Sequence, residues 1–177
     1  MRRMALSMTF NPLTPELRER GIRFFKAIEK REITGQTAAA FFFRYFFKRL
    51  QIMFETEPAK LELIASQSFG KSCMFAVRNL FHVTAHLKSY DEIPVDDSFD
   101  RNAPHLTFDN IWTVFEIVAS DVTFIEAVLK KRIKIDKMAE LAKIFAPIEA
   151  LHPKDRLLAI KDRDMELLSQ IIQESGF

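Results

Sequence analysis

The 177 residues carry 26 Lys and Arg against 24 Asp and Glu, and a net charge of +2 gives no electrostatic reason to expect nucleic acid as a principal partner. At 48% hydrophobic content this length suits one domain with a substantial core. A lone cysteine, Cys73, excludes an internal disulfide framework and fits a reducing, cytoplasmic setting.

Residues 1–12 begin MRRMALSMTF, whose apolar part is too short and broken for a secretory signal, and read as an N-terminal tail. Four Gly and two Tyr among many Leu, Ile, Phe, Ala, Lys and Glu favour helices over strands, so the fold class expected is all-α. Thr14-Pro15-Glu16 starts the first helix with a hydroxyl cap, a proline of suitable φ and an acid near the positive dipole end. Leu17, Gly21, Phe24, Phe25 and Ile28 then make one apolar stripe.

Thr34-Gly35 breaks that pattern before the stretch Thr37 to Phe54, TAAAFFFRYFFKRLQIMF, which holds six of the eighteen Phe residues. A helix apolar most of the way round must be covered on several sides. Arg44, Lys48 and Arg49 interrupt it short of the roughly 20 apolar residues a membrane span needs. It is therefore expected at the centre of the core, with no span.

After Pro58, the apolar positions from Leu61 through Phe69, Cys73 and Val83 to Leu87 keep helical spacing and predict one long helix interrupted at Gly70. Residues 89–107 hold two prolines and five acids without a period, which predicts a long loop. A helix from about Thr107 through Leu129 to Ile133, another capped by Asp136, and one or two more after Pro153 complete the chain. His82 and His86, spaced i, i+4, would share a helix face able to seat a metal, with a surface pair as the plainer reading. No nucleophile elbow or phosphate-cradling loop occurs, so the chain is not expected to be an enzyme.

Leu13-Thr14-Pro15-Glu16, Phe25, the run Phe42-Phe43-Arg44-Tyr45-Phe46-Phe47, Phe54 and Phe69-Gly70-Lys71-Ser72 together resemble the globin family. The resemblance implies a globin-like helical fold with an additional C-terminal helix. It places a single globin-like domain over 1–177, with the tail at 1–12, globin-like helices over 13–150 and a C-terminal extension over 151–177. It further implies a haem pocket. His105 is the nearest candidate for the proximal iron ligand, out of the usual register; Phe54 would stack on the porphyrin, Phe69 would stand on the distal side, and Cys73 and Phe43 would line the same space.

Three readings follow. One is a haem protein that binds oxygen or another small gas, or acts in sensing or electron transfer. The second is a haem-free globin-fold regulatory or interaction module. The third is a binder whose Phe-rich interior holds a fatty-acid-type ligand.

Overall fold

The computed structural model describes residues 13–149 and 154–177. The tail assigned to 1–12, and His152, lie outside the described residues.

The first three helices follow their local signals. Helix α1 (Pro15–Glu29) starts where the Thr14 hydroxyl accepts from the Leu17 N–H, and α2 (Gly35–Met53) starts where Thr34 accepts from Thr37. Such caps satisfy backbone donors that a helix start leaves unpaired. Helix α3 (Pro58–Ser68) opens on its proline. The greasy stretch is indeed helical and is buried on nearly every side, including Phe41, Phe42, Phe43, Phe47 and Leu50.

The all-α expectation fails from Phe69 onward. The chain leaves α3 through Gly70, at φ +81°, and runs into β1 (Lys71–Val77). It turns over Asn79, at φ +61°, and returns as β2 (Phe81–Leu87). The segment expected as one helix over 61–87 is thus a helix followed by a hairpin. Within the expected loop lies β3 (Val95–Asp96), and β4 (His105–Phe108) starts at its end.

Helices α4 (Ile111–Val118) and α5 (Phe124–Leu129) divide the next expected helix, and its tail is β5 (Ile133–Asp136). Then come α6 (Met138–Glu149), α7 (Lys154–Ala159) and α8 (Lys161–Glu174). The sheet order is β3-β2-β1-β4-β5. β1 pairs antiparallel with β2 and parallel with β4, and β4 pairs antiparallel with β5. A five-stranded mixed sheet cannot be a globin-like helical fold.

Strand alternation divides the sheet into two faces. Phe75, Val77, Val83, Ala85, Leu87, Leu106, Phe108 and Ile133 point inward, all buried. Helix α2 lies against β2 and β3 on that side, with α1 and α8 packed beyond it. Rings fill the layer: Phe75 meets Phe42 at 5.1 Å, Phe43 at 5.7 Å and Phe108 at 5.0 Å between centroids. Each fully buried ring contributes about 1.5–3 kcal/mol through burial alone.

A polar knot fastens α8 to α2. The Asp164 carboxylate accepts from the Tyr45 hydroxyl at 3.0 Å and from Arg49 Nε and Nη2, each at 2.8 Å. Arg49 also donates to the Tyr45 hydroxyl. All three side chains are buried. Burial opposes the charge on Arg49, but Tyr45 and Asp164 outweigh it and hold the pKa above its usual value. Loss of either charged partner would break a buried ion pair, at a cost of roughly 3–5 kcal/mol.

Candidate functional site

Helices α1 and α4 cross closely at Gly21, where a Cβ would stand 3.0 Å from Cε2 of Phe115. The bare backbone lets the edge of that ring approach α1. Beside it opens a cleft of about 370 Å³, walled by Ile22, Trp112, Phe115 and Val122 and rimmed by Arg18, Glu116 and Asp121. The helical repeat accounts for the composition: Ile111, Val114, Phe115 and Val118 turn inward, while Trp112 sits half-buried at the mouth.

Every rim charge is matched. Arg18 donates to both carboxylate oxygens of Asp121 and lies 5.5 Å from the Phe115 centroid. The hydrogen bond to Asp121 raises the Arg18 pKa against the opposing effect of burial. Arg132 engages Glu116 and Asp109 and donates to Thr113 Oγ1 at 2.6 Å. The Trp112 indole N–H donates to Glu29 Oε1 at 3.0 Å. The result is an apolar cleft inside a neutralised rim.

The wall of the cleft joins the ring-packed interior. Phe115 meets Trp112 at 5.9 Å on the outside and Phe25 at 5.2 Å on the inside. Phe25 in turn meets Phe24 at 5.6 Å and Phe41 at 6.1 Å.

No protein-family model, curated protein or solved structure matches the chain.

A second polar constellation occupies the outer face of the sheet. Ser72 Oγ lies 2.9 Å from His86 Nδ1, and His86 Nε2 lies 2.9 Å from Asp96 Oδ2. The Ser98 hydroxyl and backbone N–H, with His86 after them, hold the Asp96 carboxyl at about 2. An ionised carboxylate only accepts, so His86 donates to Asp96 from Nε2, and its Nδ1 shares a hydrogen bond with the Ser72 hydroxyl. With His86 and Asp96 side chains 37% and 53% exposed, this line ties the β3 edge across β2 to β1 in contact with water.

The five residues singled out for a haem pocket are not gathered into one. His105 points to the outer face, its ring 5.4 Å from Phe99 and its Nε2 3.3 Å from the Asp100 carbonyl. Cys73 lies on the inner face with its thiol pushed up to about 12 by burial. Phe43 is fully buried against Phe75. Phe54 is fully buried at the end of α2, beneath Lys60 and Arg156. Phe69 packs on Phe47 and Tyr90 at 5.5 and 4.9 Å.

The sheet stands between His105 and the buried rings, so these residues do not fit around a haem iron. His82 and His86 lie on a strand and not on a helix, and among the described residues no group of three or more His, Cys, Asp or Glu could hold a metal ion. No local sequence pattern marks the cleft. Its one visible signal was the single tryptophan; nothing local joins Arg18 to Asp121, 103 residues away.

Proposed function

We propose that this protein is a non-enzymatic binding module for an apolar, fatty-acid-like ligand received at the Trp112–Phe115 cleft. The observation that carries the reading is the double role of Phe115, which walls the cleft and is also the outermost ring of the aromatic interior. A volume of about 370 Å³ lies within the range of roughly 300–1,000 Å³ common for small-molecule sites. An aliphatic chain would lie against Ile22, Trp112, Phe115 and Val122. Its polar end would remain at the rim, where Arg18 has donors beyond the two that Asp121 takes.

Trp112 is the protein's one tryptophan, so its emission reports directly on the cleft. Titration with a long-chain fatty acid is expected to shift that emission saturably, and Ile22→Asp is expected to weaken binding about tenfold or more, since it sets a carboxylate against the apolar wall. Organic extraction of purified protein followed by mass spectrometry is expected to recover a stoichiometric lipid. An unchanged spectrum together with an empty extract would overturn the proposal.

A further inference from the structure

The segment following the cleft carries a surface that neither the cleft nor the core explains. Helix α5 places Ile125 and Leu129 one turn apart, hence on one face, and leaves them 53% and 76% exposed. Leu129 is the most exposed large apolar side chain among the described residues. Of the whole helix only Ala127 is buried. Folding stability gains little from two branched aliphatics held in water.

The charge beside them is one-sided. From Leu129 to Lys137 the chain reads LKKRIKIDK, five cations against the single acid Asp136. Arg132 is committed to Glu116 and Asp109. Among the described residues, Lys130 and Lys131, both exposed, have no ion-pair partner, and neither has Lys134 on the sheet's edge strand β5. Glu126, the acid on α5, folds back to cap the Thr123 N–H.

We infer that the α5–β5 edge docks the protein on an anionic lipid surface. Ile125 and Leu129 enter the boundary between headgroups and acyl chains, while Lys130, Lys131 and Lys134 meet the lipid phosphates. Exposed aliphatics flanked by free lysines are the combination such a surface selects: apolar insertion and attraction to negative headgroups act together. Lysine on an edge strand also discourages strand pairing, which accounts for Lys134 but not for Ile125 and Leu129. A second copy meeting this edge about a twofold axis would set like charges against each other. No helix among the described residues is long and apolar enough to cross a membrane, so the contact is with the surface.

Cosedimentation of the full chain with vesicles of phosphatidylcholine, and of phosphatidylcholine mixed with phosphatidylglycerol, is expected to show binding to the mixed vesicles alone, weakened by salt. The double substitution Lys130→Gln with Lys131→Gln should weaken that binding about thirtyfold. Ile125→Ser with Leu129→Ser should weaken it about tenfold or more, and thermal melting would verify that both variants stay folded.

Equal binding to both vesicle types, binding to neither, or full binding by the lysine variant would each overturn the inference. So would self-association in light scattering that the same substitutions abolish. Lipid extraction from the same preparation tests the cleft separately, so either reading can fail alone.

Discussion

The two faces of the sheet share every strand and almost nothing else. Inward, Phe75, Val83, Leu87 and Phe108 are sealed against α2 and its rings. Outward, Ser72, His82, His86, His105 and Lys134 stand on alternate positions of the same strands, around the buried Met74 and Thr84. A shift of one residue along a strand exchanges the two environments. The aromatic packing is therefore concentrated on one side, and the described histidines on the other.

The sharpest challenge to that division is Phe75→Ala. Its ring touches Phe42, Phe43, Phe81 and Phe108, so removal should cost about 3–5 kcal/mol in urea unfolding. A loss below about 1 kcal/mol would mean that the ring layer is loosely packed and the contrast overstated. Next comes Gly35→Ala at the start of α2. The new Cβ would fall 2.5 Å from Cγ of Phe81, and roughly 1–3 kcal/mol of overpacking should follow. Wild-type stability in that variant would show that α2 can lift from β2 without penalty.

The outer face should yield the smallest effect, and one read by pH. Asp96 is held at about 2, below its ordinary 3.8, so whatever it contributes is present above about 3.8 and fades as pH falls through 2. Its carboxyl carbon shift, followed by NMR, should titrate with a midpoint near 2. A midpoint near 3.8 would remove the tie from Asp96 to Ser98 and His86.

Legibility tracked the range of the signal. Thr14 and Pro58 announce their helices because a cap or a first-turn proline acts within three residues of itself, and Thr34, read only as a break, proves to cap α2. Beyond Phe69 the reading failed through period. Cys73 to Val77 is apolar at every position, so helical spacing can be found in it without meaning anything.

Phe81-His82-Val83-Thr84-Ala85-His86-Leu87 does alternate strictly, and Ile133-Lys134-Ile135-Asp136 repeats the pattern. Those two runs were the available strand signal. The cleft was beyond local reading, because it depends on α1 meeting α4 and on Arg18 finding Asp121. The globin-like aromatic spacing recorded a real Phe-rich helix, but it packs against a sheet.

The knot between α2 and α8 also bears on how the chain is made. Arg49 and Tyr45 leave the ribosome 115 residues or more ahead of Asp164, the carboxylate that completes their burial. Until then the guanidinium favours water over the core, and the Phe-rich helix lacks the cover that α8 supplies. Strand β1 likewise waits for β4 before its parallel edge is paired. The fold is thus assembled from contacts distant in sequence, and the Phe-rich stretch emerges well before the residues that cover it.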